Sequence, residues 1–289
     1  MNGILLVDKP SNWTSHDVIA KLRRVLGMRR IGHCGTLDPM ATGLLVVFIG
    51  RATRAVEFAQ NREKEYIAGL KLGIVTDTQD ITGSIIKSSK EAVTEAELRA
   101  VLPEFIGEIS QIPPMFSAVK VEGQKLYELA RRGQEIERKS RRVNIKELEL
   151  TGRMGEDFLL RVRCSKGTYV RTLCHDIGER LKSGGALSYL RRTFVGDFSV
   201  EDALTLVEIE ALAKDGGIAE HILPVEILFS GLPRITISGA QKKKCLHGNP
   251  LNVSVEDGEY LVYDECGAFL MLGSANGGLM KTVKNFFEV

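Results

Sequence analysis

The residues best suited to chemistry form the stretch G-H-C-G-T-L-D-P at positions 32–39, followed by A-T-G at positions 41–43. Three glycines and a proline shape this stretch, and its one carboxylate belongs to Asp38. Glycine allows backbone conformations that are closed to other residues, and proline fixes a turn. The apolar run at 44–49 predicts a buried strand directly afterwards. An acid held in such a loop, against a core strand, is placed to act as a nucleophile or a general base.

The same residues also allow a purely structural interpretation. An aspartate before a proline commonly opens a turn, and closely spaced glycines can shape a loop without any chemistry. Two further acids, Asp77 and Asp80, lie three positions apart in the loop 72–83. They favour general acid–base work or a cation site, but Asx turns explain both residues and no third ligand is evident. Residue types alone leave the role of Asp38 open.

The elements that must position Asp38 can be predicted from apolar periodicity and capping residues. In chain order they are a strand at 4–7, a helix capped by Thr14 or Ser15 and stopped by Gly27, the strand at 44–49, a strand at 66–72, a helix opened by the capping box 94–97, a strand at 158–164, a helix through Leu173 and Leu181, and a helix at 208–213. Arg171 is expected at the end of the strand 158–164, just before a helix.

Composition sets the class of protein. A length of 289 residues suits one large and one small domain, and a net charge of +2 means that any polyanion site must come from local clustering. Five scattered cysteines, never in a C-x-x-C pair, argue against a disulfide framework and a zinc site. The opening apolar run is too short for a signal sequence or a membrane span. We therefore expect a cytoplasmic protein.

Positive charge is concentrated in two places. Arg29 and Arg30 follow a basic helix and lead into the Asp38 loop, where a solvated face and an RNA-facing edge are equally good interpretations. The segment 119–146 carries nine cations against four glutamates. A flexible basic arm is what binding to a phosphate backbone needs. A charged surface helix around Leu126 and Leu129 is the alternative, and it explains the remaining cationic excess less well.

After about residue 230 the chain predicts a small β-rich unit, because short apolar runs alternate with Gly, Asn and Asp. Its Lys242–Lys244 run and His247 either contact an RNA end or keep the unit soluble. The chain lacks the phosphate-binding, dinucleotide-binding, zinc-protease and serine-hydrolase motifs. Chemistry driven by nucleotides, metals or a serine nucleophile therefore lacks its usual parts.

Several blocks, taken in order over about residues 1–200, closely resemble the TruB family of bacterial tRNA pseudouridine-55 synthases. Besides the Asp38 stretch, four further blocks carry the resemblance: L-G-I-V-T-D-T-Q-D-I-T-G at 72–83, P-P-M-F-S-A at 113–118, C-S-K-G-T-Y-V-R at 164–171 and L-S-Y-L-R-R-T at 187–193. The block at 113–118 opens a longer basic segment that belongs to the same resemblance. The family usually has Thr or Gly at the position of Cys34, which is one small residue for another.

The resemblance implies an α+β fold in which a mixed, mainly antiparallel central sheet is flanked by helices. It implies a catalytic domain at 1–229, with an RNA-binding arm at about 119–146, and a small PUA-like RNA-binding domain at 230–289. The implied reaction converts uridine 55 in the T-loop of tRNA to its C-glycoside, without cofactor or metal. The implied partner is tRNA, bound by a monomer that needs no protein partner and no membrane.

The resemblance also implies roles for individual residues. Asp38 would act as nucleophile or base on a flipped-out uridine, Arg171 would be its cationic partner, and Tyr66 would stack on the base, with core packing as its alternative role. His33 would prop the rearranged T-loop. The remaining residues expected to contact RNA are Leu190, Arg29, Arg30, Lys120, Arg131 and Arg141.

Three other functions stay open on the residues alone. A pseudouridine synthase of the rRNA-modifying classes would use the same acid, but in an R-L-D context where this chain has Thr36. A non-catalytic RNA-binding or folding protein would keep the basic arm without needing Asp38. A glycosidase would need a second carboxylate, from Asp77 or Asp80, and would leave the arm without a purpose. The sequence does not choose between attack at C1′, addition to C6 and a glycal route.

Overall fold

The computed structural model describes residues 1–117, 119–121 and 123–287. The α-helices are α1 (Ser15–Val25), α2 (Val56–Gln60), α3 (Glu95–Val101), α4 (Leu126–Ala130), α5 (Val170–Arg180), α6 (Leu206–Asp215) and α7 (Gly239–Leu246). The strands are β1 (Gly3–Lys9), β2 (Ile31–Cys34), β3 (Thr42–Ile49), β4 (Lys64–Leu72), β5 (Ile74–Thr76), β6 (Ile85–Ser88), β7 (Gly107–Gln111), β8 (Lys120–Val121), β9 (Gln124–Lys125), β10 (Arg141–Met154), β11 (Asp157–Cys164), β12 (Gly185–Val195), β13 (Phe198–Ser199), β14 (Leu204–Thr205), β15 (Arg234–Ile237), β16 (Leu251–Asn252), β17 (Gly258–Asp264), β18 (Phe269–Asn276) and β19 (Leu279–Asn285).

A ten-stranded sheet forms the centre of the molecule, in the order β14-β1-β3-β12-β4-β11-β10-β7, with β2 beside β3 and β13 beside β12. Its pairings are antiparallel except for β1 with β14 and β3 with β12. The run Leu44–Ile49 of β3 is fully buried, because apolar side chains cover both faces of this inner strand. The predicted α+β fold with a mixed, mainly antiparallel sheet is confirmed.

Two apolar cores on the sheet bring the elements of the site together. On one, α5 packs against β4, β11 and β12, and Leu37 of the Asp38 loop joins this core. On the other, α1 and α6 pack against β1 and β3. The Asp38 loop, which connects β2 to β3, is therefore anchored through Leu37 to the core that also holds α5. Burial of a single leucine side chain contributes about 1.5–3 kcal/mol to such an attachment.

Capping chemistry sets where the helices begin. Thr14 caps α1 and Thr94 caps α3, and each forms a reciprocal capping box with the acid three positions later. Thr205 starts α6 in the same way, so this helix is longer than the predicted 208–213. Arg171 is the second residue of α5 rather than a strand end, since β11 stops at Cys164 and Tyr169 is the helix N-cap.

The predicted basic arm contains three kinds of structure. The two-residue strands β8 and β9 form a hairpin, and α4 follows with Leu126 and Leu129 buried in a small core of its own. Residues from 141 onwards belong to β10, because Val143 and Ile145 alternate into the main sheet. Ala118 and Glu122 of the arm lie outside the described residues.

The C-terminal unit is a separate five-stranded sheet in the order β15-β17-β18-β19-β16. The sequence prediction of a β-rich unit is thus confirmed, but it missed α7, which carries the Lys242–Lys244 run. The unit is docked on the rest of the chain: Phe286 packs against Phe229 and stacks on Phe269 with ring centroids 5.3 Å apart. The domain boundary near residue 230 stays a prediction, and residues 288 and 289 lie outside the described part.

Candidate active site

Side chains from two neighbouring elements fix the backbone on both sides of Asp38. The Ser15 hydroxyl, at the start of α1, accepts from the Leu37 N–H at 2.9 Å and is 3.2 Å from the Leu37 carbonyl. The Lys9 ammonium, at the end of β1, donates to the Pro39 carbonyl at 3.2 Å. The Lys9 side chain is completely buried, and burial lowers its pKa to about 8. The loop is thus held rigidly, as a catalytic carboxylate requires.

The Arg171 guanidinium contacts both oxygens of the Asp38 carboxylate. Its Nε lies 3.0 Å from one carboxylate oxygen and its Nη2 lies 3.3 Å from the other. Its remaining N–H groups donate to the Thr78 carbonyl at 3.0 Å and to the Phe116 carbonyl at 2.8 Å. The Arg171 side chain is 5% exposed whereas that of Asp38 is 38% exposed, so the carboxylate stays accessible while its partner is immobile.

A second carboxylate lies on the far side of Arg171. One Asp80 oxygen is 3.7 Å from Arg171 Nη1, and Asp80 is buried. The other oxygen accepts from the Thr78 hydroxyl and the Thr82 N–H, which is the turn role expected for this residue. Asp77 accepts from the Ser84 N–H at 2.8 Å, seven positions along the chain, so this contact is not an Asx turn. The sequence predicted the turn role of Asp80, but nothing in it indicated that Asp80 shares the arginine of Asp38.

Opposing effects act on the ionisation of Asp38. Burial raises the pKa of its carboxyl above the usual value, and the Arg171 guanidinium is the strongest influence in the other direction. The Asp80 carboxylate raises the pKa further, and the Lys9 ammonium lowers it. The cations beside Asp38 therefore favour its ionised form and oppose the rise in pKa that burial causes.

Tyr66 and Arg192 face each other across the centre of the sheet. Tyr66 on β4 is paired in register with Arg192 on β12, so both side chains project from the same face. The Tyr66 ring is half-buried and packs against the core that contains Leu37. Burial raises the pKa of its hydroxyl to about 12, so the phenol is neutral and able to donate a proton in a hydrogen bond.

His33 and Leu190 lie beside this centre. His33 is on β2, with Nε2 3.3 Å from the Thr36 hydroxyl and its ring at right angles to that of His16. Burial lowers the pKa of His33 to about 4, so its imidazole is neutral. Leu190, on β12, is 6% exposed and belongs to the same core as Leu37. The structure brings His33, Tyr66, Arg171 and Leu190 together around the Asp38 loop.

The predicted phosphate-binding cations lie farther out. Arg29 and Arg30 are exposed between α1 and β2, and Arg30 donates to the Thr53 hydroxyl at 2.9 Å. Exposed positions are also held by Lys120 on β8, Arg131 after α4 and Arg141 at the start of β10. The segment just before the arm reaches the centre, where the Phe116 carbonyl accepts from Arg171 Nη2 at 2.8 Å.

The chain matches two sequence models of one enzyme family. The model described as the N-terminal domain of TruB family pseudouridylate synthase matches residues 23–170, and the model described as the tRNA pseudouridylate synthase B C-terminal domain matches residues 171–230. The chain belongs to the TruB family of pseudouridylate synthases. Enzymes of this class are isomerases that convert uridine to pseudouridine, as the sequence predicted.

Individual TruB relatives match nearly the whole chain. A tRNA pseudouridine synthase B of Bacillus velezensis is 42% identical, over 98% of this chain and 97% of its own length. One from an Azoarcus species is 45% identical, over 97% and 93%. Among solved structures, a chain of a Cbf5–Nop10–Gar1 complex superposes with a TM-score of 0.73 at 29% identity, covering 99% of this chain and 85% of its own. An H/ACA RNP bound to a substrate RNA gives a TM-score of 0.72 at 27% identity, with coverages of 99% and 85%.

Sequence reasoning missed the support that Lys9, Ser15 and Arg192 give to this site, and it considered Asp80 only as an acid–base, cation-binding or turn residue. Each acts on the Asp38 loop or on Arg171 from another element, so no local pattern marks it. Ser15 was visible only as a possible helix cap. Among the described residues no group of three His, Cys, Asp or Glu side chains could hold a metal ion, and no helix has the length and apolar character to cross a membrane.

Proposed function

We propose that this protein converts uridine 55 in the T-loop of tRNA to pseudouridine, with the Asp38 carboxylate acting on a flipped-out uridine. The observation that carries the proposal is the two-point contact between Asp38 and the immobile Arg171 guanidinium. The relatives that match nearly the whole chain are named tRNA pseudouridine synthases, which supports tRNA as the substrate. The predicted monomeric state and cytoplasmic location stay predictions.

The chemistry needs one accessible, ionised oxygen. The C1′–N1 bond breaks, the uracil turns, C1′ joins C5, the proton on C5 leaves and N1 gains one. Asp38 serves this sequence by attack at C1′, by addition to C6 or as a base towards the sugar in a glycal route. In all three routes Arg171 limits the pKa rise that burial imposes on Asp38 and fixes the direction of its oxygens.

Base flipping brings the uridine to Asp38. A stacked base cannot reach a carboxylate in a cleft, so the nucleotide must leave its stack, which costs a few kcal/mol. In our proposal Tyr66 offsets part of this free energy by stacking on the uracil, a contact that contributes about 1–3 kcal/mol for an aromatic side chain. Its neutral hydroxyl then lies beside the reacting nucleotide, where it can relay a proton.

A cluster of one exposed and two half-buried arginines would hold the tRNA backbone. Arg30, Arg51 and Arg54 are close enough that their charges lower the pKa of Arg54, after the larger effect of burial. An RNA phosphate placed among these side chains would relieve their mutual repulsion. We predict that the logarithm of the tRNA association constant falls linearly with the logarithm of the salt concentration, and that Arg30→Ala makes this slope less steep by about 0.7–0.9. An unchanged slope would remove Arg30 from the interface.

The decisive experiment uses tRNA transcripts that carry tritium at C5 of every uridine. Wild-type protein is expected to release tritium, and a transcript with cytidine at position 55 is expected to release none. Asp38→Asn should abolish release while tRNA binding persists, because the amide keeps the shape but not the charge. Asp197→Asn is the matched control, since the Asp197 side chain is 81% exposed and pairs with Arg62.

Other outcomes would point to other functions. Release from an rRNA fragment, but not from tRNA, would favour a different class of pseudouridine synthase. Binding of tRNA without any release by wild-type protein would favour the non-catalytic RNA-binding function. Appearance of free uracil in place of pseudouridine would favour a glycosidase. Each of these results contradicts the proposal.

A further inference from the structure

Arg192 is a buried arginine that has no carboxylate partner among the described residues. Its side chain is 1% exposed and is among the largest fully buried side chains. In the described part of the chain its hydrogen bonds go to two backbone carbonyls, and it takes part in no ion pair there. Burying a charge without a counter-charge is strongly unfavourable. A well-packed apolar residue would be the more stable choice at this position, so a purely structural role accounts poorly for the guanidinium.

The Arg192 guanidinium connects β12 to both ends of the Asp38 loop. Nε donates to the Leu44 carbonyl at 2.7 Å, in β3 just after the loop, and Nη2 donates to the carbonyl of Gly35, the first residue of the loop, at 2.9 Å. Gly35 has φ +69°, and a Cβ built on it would lie 3.1 Å from Arg192 Nη1. Only glycine combines this backbone conformation with such a close approach of the guanidinium.

The same guanidinium faces Tyr66 on the neighbouring strand. The two residues are paired in register between β12 and β4. The positive charge of Arg192 lowers the pKa of the Tyr66 hydroxyl, against the larger effect of burial. One planar group thus donates to the loop that carries Asp38 and lies on the strand beside the tyrosine expected to stack on the uracil.

We infer that Arg192 is a positioning residue for the isomerisation, one that holds the Asp38 loop and the Tyr66 hydroxyl in a fixed relation around the flipped-out uridine. The inference rests on the proposed function, because it assigns Asp38 and Tyr66 to the same substrate. A guanidinium suits this task, since its donors are rigidly spread in one plane and reach acceptors on separate segments at once. A lysine ammonium keeps the positive charge, but its donors all lie on one atom and cannot reach acceptors on separate segments.

The test combines Arg192→Lys with Tyr66→Phe in a double-mutant cycle, measured by single-turnover tritium release from tRNA. Arg192→Lys is expected to lower the rate by about 10²-fold or more, comparable with the loss of other preorganised donors, while the dissociation constant of tRNA changes less than about threefold. In the Tyr66→Phe background the same change should cost less than about tenfold, because part of what Arg192 orients is already missing. Arg191→Lys is the control: Arg191 is the next residue of β12, pairs with Asp8 and is expected to tolerate the change.

Four results would overturn the inference. They are a rate within threefold of wild type for Arg192→Lys, fully additive losses in the cycle, a loss expressed only as weaker tRNA binding, and an equal loss in Arg191→Lys. If circular dichroism shows that Arg192→Lys is misfolded, Gly35→Ala tests the contact between Arg192 and the Asp38 loop from the loop side. This change should lower the rate of tritium release without weakening tRNA binding. If the wild-type protein releases no tritium, the proposed function fails and this inference fails with it. If the wild-type protein is active, the four results above overturn the inference alone.

Discussion

Replacing Arg171 by lysine tests how the charge beside Asp38 is held. The arginine makes three hydrogen bonds to three separate segments, to the Asp38 carboxylate, the Thr78 carbonyl and the Phe116 carbonyl, and its Nε forms a second ion-pair contact with Asp38. A lysine ammonium keeps the positive charge, but its donors share one atom and cannot reach all three segments. We therefore expect Arg171→Lys to lose at least two of these bonds.

The size of the effect follows from those contacts. A hydrogen bond that involves a charged group contributes about 1.5–3 kcal/mol, so two lost bonds weaken the arrangement by about 3–6 kcal/mol. Each 1.36 kcal/mol corresponds to a factor of about ten in rate. If the loss falls on the transition state, the rate constant for isomerisation decreases by between about 10²-fold and 10⁴-fold.

The assay is single-turnover tritium release at saturating enzyme, with tRNA affinity measured separately. Arg180→Lys is a matched control in the same helix: Arg180 also makes a two-point contact, with Glu104 at 2.7 Å, but the two side chains are 54% and 46% exposed. An exposed pair of this kind contributes at most about 1 kcal/mol, so its rate should not change. Arg171→Lys with more than a third of the wild-type rate, or a loss equal to that of Arg180→Lys, would refute the reasoning.

Two further predictions concern pH and stability. The acidic limb of the wild-type pH–rate profile should lie above the ordinary aspartate pKa of 3.8, because burial raises the pKa of Asp38 and only the ionised carboxylate is active. Asp80→Asn removes a negative charge that raises this pKa, so it should move the limb to lower pH whatever it does to the maximal rate; a limb that stays in place or moves upward would contradict the assignment. Thr94→Ala removes the capping box of α3 and should lower the free energy of unfolding by about 1 kcal/mol in urea titrations. Exposed Ser140→Ala should change it by less than about 0.5 kcal/mol, and an equal effect of both changes would exclude the cap as the cause.

Most elements could be predicted because their signals are local. The alternation at 66–72 and 158–164 marks β4 and β11, a cap at Thr14 or Ser15 marks α1, and the capping box at 94–97 marks α3. Elements with weak local signals were missed or misplaced. Helix α7 has few apolar residues, so its periodicity is faint, and it depends on the Ser238 cap and on packing of Cys245. The start of α5 was displaced because Tyr169 caps it without a side-chain hydrogen bond.

By itself the sequence determined that the chain carries an acid in a glycine-shaped loop, a basic segment and the ordered blocks of the TruB family. These features depend on residue types and on spacing along the chain. Only the tertiary structure decided what surrounds Asp38: Lys9, Asp80, Arg171 and Arg192 come from four other segments and meet because strands distant in sequence pair within one sheet. Burial and electrostatic coupling depend on distances in space, so the charge state of Asp38 and the support of its loop could not be deduced from the order of residues.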